Sequence, residues 1–335
     1  MVRCVFISMC LASSLWAGDL FVTTSSSHQV QQFNDEDGDP LGNFCTVANP
    51  VGLAFRPLQT RDALSGDLFV GSATSHNVQR FDGQTGESFG AFCSVSNPGD
   101  LLFGPGGDLF VLSLTEHQVL RYDGQTGEPM GAFCFVANPS GLAFRPLKSR
   151  GSTLGDLFAC TASSHQIQRF DGETGESLGA FCTVANPRGL AFGTGGDLFV
   201  ASATNHQVLR FDGNTGESEG AFCTVANPGD VSFGSDGHLY VTSQSSHQVQ
   251  VFDGQSGEAM GAFCTVANPG WLVFREEALP CPADFNGDNV VNVTEVLVLL
   301  ENWGACGDCP ADINGDGNVD VVDLLIVLDA WGGCA

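Results

Sequence analysis

The sequence predicts an all-β six-bladed propeller followed by a small all-α tail, and three observations carry that prediction. A unit best seen at residues 196–235, GDLFVASATNHQVLRFDGNTGESEGAFCTVANPGDVSFGS, recurs six times, with copies starting at Gly18, Gly66, Gly107, Gly155, Gly196 and Gly237. The spacing is 41 residues, or 48 where seven are inserted, and a fixed period in the forties marks a repeat architecture. Within a copy the pattern has period two. Leu198 and Val200 alternate with Phe199, Val208 to Phe211 runs into an Asp-Gly turn, and residues 221–225 follow. Asn-Pro, Asp-Gly and Gly-Gly separate these runs, which reads as four short strands and three turns. Four strands in each of six copies make six blades.

The ring closure is also legible. The first copy lacks a GLAF-type strand before it, and the sixth ends with an extra one, Gly270-Trp271-Leu272-Val273-Phe274. That segment is expected to become the innermost strand of the blade begun at residues 18–22, so that no open edge remains to recruit another chain.

Ahead of the first copy, residues 1–17 read MVRCVFISMCLASSLWA. One Arg, a short apolar run and small residues at its end have the form of a secretory signal peptide, too short to span a membrane. The whole chain carries 38 acidic against 12 basic residues, a net charge of −26. So acidic a surface argues against nucleic acid and anionic membranes as partners and suits calcium binding or a saline medium. With 43% hydrophobic residues, there is ample material for a packed core.

Each copy carries one cysteine at an equivalent position: Cys45, Cys93, Cys134, Cys182, Cys223 and Cys264, with Cys160 as a seventh. Neighbouring sheets pack about 10 Å apart, whereas a disulfide needs Cα atoms within about 7 Å. These are expected to be buried free thiols acting as small hydrophobes. The same distance test applies to the one histidine per copy, His28, His76, His117, His165, His206 and His247. Metal–nitrogen bonds of about 2 Å need convergent ligands, so an imidazole capping its own turn is the expectation, with six shallow sites between blades for a sugar or peptide as the alternative.

Strand order places the histidine and Asn-Pro turns on one face and the DGQTGE-type turns on the other, with Gly at positive φ in the latter. The insertions at residues 56–65 and 145–154 share that second face. They hold Arg56, Arg61, Arg145, Lys148 and Arg150, five of the chain's basic residues, where a partner contact is a candidate. Catalysis on a repeat requires the repeat to be broken where the acid and base sit. The deviations singled out, Glu116, Tyr122, Phe135, Cys160, Glu219, His238 and Trp271, are scattered and form no base–orienter pair.

Beyond the linker at residues 276–280, residues 281–335 hold two copies of one unit offset by 28: CPADFNGDNVVNVTEVLVLLENWGAC and CPADINGDGNVDVVDLLIVLDAWGGC. Asp284, Asn286, Asp288, Asn292 and Glu295 fall at positions 1, 3, 5, 9 and 12 of a calcium loop, as do Asp312, Asn314, Asp316, Asp320 and Asp323. Alternate oxygens wrap the ion, the carbonyls of Val290 and Asn318 contribute at position 7, and the last carboxylate grips with both oxygens. Two Ca²⁺ ions are expected. Each loop leads into a helix with an apolar stripe, Val296, Leu297, Leu299, Leu300 and Trp303, then Leu324, Leu325, Val327, Leu328 and Trp331. Cys281, Cys306, Cys309 and Cys334 allow three pairings. Cys281–Cys306 with Cys309–Cys334, each closing its own unit, is favoured in an oxidising compartment.

Two resemblances follow from these residues. Asn205-His206-Gln207-Val208-Leu209-Arg210-Phe211-Asp212, between a Gly-Asp-Leu-Phe-Val and a Pro-x-Gly-Leu-Ala-Phe, resembles the NHL repeat over residues 18–275. It departs where that family often has Asp after the innermost strand, since Arg56, Gly104, Arg145, Gly193, Gly234 and Arg275 stand there. Residues 281–335 resemble a type I-like dockerin of the GC type. This implies two calcium ions and anchoring to a cohesin-like or other surface partner. The expected function is therefore an exported, non-catalytic propeller platform held at a cell surface or in a matrix by its tail. An NHL-type lyase or hydrolase displayed through the same anchor, or a multivalent carbohydrate-binding propeller, is the alternative.

Overall fold

The computed structural model describes residues 18–57, 66–146, 155–275, 283–285, 290–305, 311–313 and 318–333. Six four-stranded antiparallel sheets form among them. The fifth blade runs outward through Pro187–Phe192, Leu198–Ser202, Gln207–Phe211 and Ser218–Thr224. Its second strand is buried at every position, whereas three of the first five residues of the fourth strand are exposed. A Leu-Phe-Val run buried on both faces thus forms the middle of the blade. The outermost edge is kinked by bulges beside Leu209 and Phe211, which blunt it against pairing with other chains.

The predicted closure is present. Pro269–Phe274 pairs with Leu20–Thr24, with Leu20 opposite Phe274 and Val22 opposite Leu272. The Arg275 guanidinium then meets the Asp19 carboxylate at 2.9 Å. The innermost strands contact one another in an unbroken cycle around the axis.

Each seam between blades is filled by an aromatic triad. Phe21 meets Phe44 of its own blade at 4.8 Å and Phe55 of the next at 4.9 Å, both edge to face. The series ends at Tyr240 with Phe263 and Phe274, so the closing seam is built like the others. Such pairs each contribute about 0.5–1.5 kcal/mol beyond the area they bury. The seven cysteines are buried in these seam cores as free thiols, and burial pushes the Cys45 and Cys223 thiols up to about 12. They act as small hydrophobes and are poor nucleophiles.

Glycines permit the blades to approach. A Cβ on Gly213, in the Asp-Gly turn, would lie 1.8 Å from the Gly196 carbonyl oxygen, and one on Gly216 would lie 2.3 Å from that of Phe181 in the preceding blade. The second contact makes the Thr-Gly turn an interblade joint.

In the tail, helices α1 (Val293–Glu301) and α2 (Val321–Asp329) each start with a full capping box, from Asn292 and Glu295 and from Asp320 and Asp323. Ala283, Val291 and Leu299 pack against Ala311, Val319 and Val327, the same three positions of each unit. Val290–Val291 pairs with Gly332–Gly333, and Gly304–Ala305 with Asn318–Val319, so each unit completes the other's ladder. The apolar stripes split in two. Leu299 and Val327 are buried, whereas Leu297, Leu300, Trp303, Leu325, Leu328 and Trp331 are each about half exposed.

If closure stabilises the ring as the seams do, Phe274→Ala should cost about 3 kcal/mol or more, as should Phe192→Ala at an internal seam. Chemical denaturation of the two variants checks this. A much cheaper Phe274→Ala would mean that the ring is open there.

Candidate binding site at the channel mouth

Six innermost strands around one axis leave little room for side chains, and the sequence obeys that limit. Their third residues are Gly52, Asp100, Gly141, Gly189, Asp230 and Trp271, and their second residues Val51, Gly99, Ser140, Arg188, Gly229 and Gly270. A Cβ on Gly141 would lie 2.2 Å from the Arg188 carbonyl oxygen, and one on Gly52 2.6 Å from the Asp100 Cα. Glycine is the default at the third position because the next blade's backbone occupies the space a side chain would need.

Of the six non-glycine residues at these two positions, four gather in one place. A cavity of about 300 Å³ opens between the Asn-Pro turns, lined by Ser140, Arg188, Asp230, Gln244 and Trp271 among others. Arg188, Asp230 with Gln244, and Trp271 come from three successive blades, the fifth, sixth and first. None of the four has a like residue at the equivalent position of another blade, apart from Asp230, which Asp100 matches. Arg188 donates from a guanidinium nitrogen to Gln244 Oε1 at 3.1 Å, and Asn227 Nδ2 donates to the same oxygen at 3.1 Å. Ser140 Oγ donates to the Pro187 carbonyl at 2.7 Å. Leu114, Pro139 and Pro187 add apolar wall.

The third and sixth blades face each other across the axis, and each supplies an aspartate. Asp100 reaches into the next blade and accepts the Leu142 N–H at 2.8 Å; Asp230 accepts the Leu272 N–H at 3.1 Å. Burial raises both carboxyls. Asp230 is pushed up to about 7, and Asp100 goes well above the ordinary range, with the Asp230 charge adding to the effect of burial. Other blade carboxylates differ in having a cation at hand: Asp67, Asp108, Asp156 and Asp197 pair with Arg80, Arg121, Arg169 and Arg210.

The features singled out in the sequence fall elsewhere. The histidines do not cap their own turns. Each sits at a φ of 53 to 58°, a left-handed conformation in which histidine is enriched. Its Nδ1 accepts the N–H of the Asn-Pro turn 21 residues on, as His206 does from Asn227 at 2.9 Å. The imidazole thereby clamps the hairpin to the link leading into the next blade. In the opposite turns, Asp212 Oδ1 accepts two backbone N–H groups and the Thr215 hydroxyl, which is turn chemistry.

Arg56 is no surface contact: it is 2% exposed, donates to the Gly124 carbonyl and lies 5.4 Å over the Phe103 ring. Arg145 stacks 5.0 Å over Phe158. Arg61, Lys148 and Arg150 lie outside the described residues, as do Asn286, Asp288, Asn314, Asp316 and Cys281, Cys306, Cys309 and Cys334. Of the scattered deviations, Tyr122 donates to the Ser94 carbonyl and Glu219 pairs with Arg210. Only Trp271 belongs to the cavity. Sequence reasoning missed Asp100, Asp230, Arg188, Gln244 and Ser140. Comparing the second and third residues of the Pro-x-x strands, one blade against another, would have found all but Gln244.

In the tail, Glu295 and Asp323 are fully buried. Glu295 Oε2 accepts the Asn292 N–H at 2.7 Å, while its Oε1 is buried without a hydrogen bond. Asp323 accepts the N–H groups of Ile313 and Asp320 at 2.8 and 2.9 Å. Asp284, Asn292, Asp312 and Asp320 are half-buried around them, and Val290 and Asn318 are exposed.

No protein-family profile matches this sequence, and no curated protein matches it. Solved structures do resemble it. A chain from the crystal structure of a nidogen/laminin complex, a β-propeller, superposes with a TM-score of 0.61 at 16% identity, covering 77% of this chain and 98% of that one. As many as 1012 solved chains are similar, so the shared shape establishes a propeller and names no ligand.

The buried carboxyl has a consequence for stability. Between the ordinary aspartate value near 4 and about 7, folded Asp230 holds a proton that the unfolded chain has released, so its contribution falls as pH rises through that window. The turn carboxylates Asp82, Asp123, Asp171 and Asp253 are shifted down and lose their contribution only below it. Asp230→Asn, which keeps an acceptor for Leu272, should flatten the stability decline between pH 5 and 8 by on the order of 1–3 kcal/mol. Denaturation across that range checks this, and parallel curves would mean that Asp230 titrates normally.

Proposed function

We propose that this chain is an exported, non-catalytic binding platform: a propeller of the NHL type that takes one ligand at its channel mouth and is anchored by a calcium-dependent, dockerin-like tail to a cohesin-like or other surface partner. The observation that carries the platform reading is the convergence of Arg188, Asp230, Gln244 and Trp271 on a single cavity. A repeat that needed only to be a spacer would have no reason to depart from its own pattern in three successive blades at one point. The cavity is concave, part apolar and furnished with a few polar groups, as small-ligand sites are. A single site also fits better than six equivalent ones, because the histidine turns are engaged in joining blades.

Calcium fits the residues of the tail. A fully buried glutamate with one oxygen lacking a donor is unfavourable without a cation, and Glu295 stands where a calcium loop places its last ligand. Asp284, Asn286, Asp288, Val290 and Asn292 would join it, and Asp312, Asn314, Asp316, Asn318, Asp320 and Asp323 would form the second site. The ions would offset the clustered negative charge and hold the loops against the helix starts. The half-exposed Leu297, Leu300 and Trp303, and their counterparts Leu325, Leu328 and Trp331, supply apolar surface of the kind that marks an interaction site. Residues 1–17 direct export on this reading.

Titration calorimetry of chelator-treated protein should register two calcium ions per chain, with Glu295→Gln weakening one of them about tenfold or more. Chelation should unfold the tail while the propeller stays folded; a tail indifferent to chelation would sink the anchor. For the propeller, glycan and peptide arrays probed with Ser140→Trp, which fills the cavity, should lose the hits given by the unaltered protein at one equivalent per chain. Hits that survive the plug would place the site elsewhere.

A further inference from the structure

Most of the described arginines of the propeller sit against a carboxylate or a ring. Arg80, Arg121, Arg169, Arg210 and Arg275 are ion-paired with aspartates, and Arg56 and Arg145 lie over phenylalanine rings. Arg188 is different. Among the described residues it is the one arginine with neither a carboxylate nor a ring, and its hydrogen bond goes to a neutral amide, Gln244 Oε1. That leaves most of a five-donor fork without a counter-ion on the wall of the cavity.

Building on the single-site reading above, we propose that the channel mouth is a receptor for a carboxylate on an apolar stem, with Arg188 as the group that pairs with it. A guanidinium takes a carboxylate through two parallel hydrogen bonds, and such charge-assisted pairs are about twice as strong as neutral ones. Gln244 fixes the arginine from one side, so little side-chain freedom is lost on binding. Leu114, Pro139, Pro187 and Trp271 offer the stem an apolar wall. The volume, about 300 Å³, holds a small acid or one inserted acidic side chain.

Asp230 does not oppose this arrangement. Burial keeps its carboxyl largely protonated below about 7, so it meets an incoming carboxylate as a hydrogen-bond donor. Asp100, across the bore, is raised further. A phosphate ester would bring a second negative charge into a protein that already carries −26, with one arginine to receive it.

Two pairs of probes, titrated at pH 6 by calorimetry, test the assignment and its source. One pair is 3-phenylpropionate and its amide, for a free acid. The other is N-acetyl-Ala-Glu-Ala-amide and its Gln counterpart, for an acid presented by a protein. At least one acid should bind, at one equivalent per chain and about tenfold or more tighter than its neutral partner. The pair that discriminates identifies the source. Arg188→Gln should erase the preference and Arg188→Lys keep part of it, both melting as the parent does. Acid and amide binding alike, or an acid preference that survives Arg188→Gln, overturns the carboxylate assignment and leaves a single-site platform standing. Inorganic phosphate matching the better acid also overturns it. No binding by any probe, together with array hits unaffected by Ser140→Trp, removes both readings.

Discussion

Everything in the propeller answers to the crowding of six strands around one axis. Neighbouring innermost strands approach so closely that a methyl group on Gly141 or Gly189 would stand 2.2 Å from an oxygen of the next blade. Three third-position residues nevertheless carry side chains, and two of them show how the limit is met. Asp100 and Asp230 reach over the following glycine-bearing strand to accept a backbone N–H from Leu142 and Leu272. The carboxylate thereby acts as an interblade strut in space where bulk is excluded. Trp271 is the third, and its ring packs beside the seam core of the first and second blades.

The same crowding explains the electrostatics. A carboxylate at the rim of a blade can be reached by an arginine on the adjacent strand, and four of them are. One on the axis has only other innermost strands beside it, and these are short on side chains. Burial without a cation then raises the carboxyl, and two such groups facing each other raise it further. A fold that forces glycine onto its axis thus makes any ionisable group there costly to charge. Asp230 and Arg188 can line one cavity without pairing because burial raises the Asp230 carboxyl and so weakens it as an anion.

The period, the four-strand blade and the closing strand were legible because each is written as a pattern with a known register. The cysteines were legible too, since one per blade at about 10 Å spacing left burial as their role. What escaped is instructive. Reading six copies for what they share fixes attention on His206 and its equivalents, whose role turns out to be mechanical: a left-handed turn residue whose Nδ1 holds the next link. Arg188 and Asp230 sit in the one strand where the copies agree least, and sequence alone does not tell that a variable pair of positions faces the axis. Arg56 was misread for the opposite reason. A cation at the edge of an insertion looks like surface, but the neighbouring Phe103 and a turn carbonyl enclose it.

The charge distribution then follows a single logic. Of the eight described arginines, five pair with aspartates and two lie over phenylalanine rings. The rest of the surface is left strongly acidic. Against that background Arg188, recessed in a concave mouth with a neutral amide beside it, dominates its surroundings, because field lines are focused where water is scarce. Anions feel repulsion from the molecule at a distance and attraction only once inside. Screening by salt removes the first effect beyond about 8–10 Å while leaving the recessed pair largely intact. A site of this construction selects by close fit rather than by long-range capture.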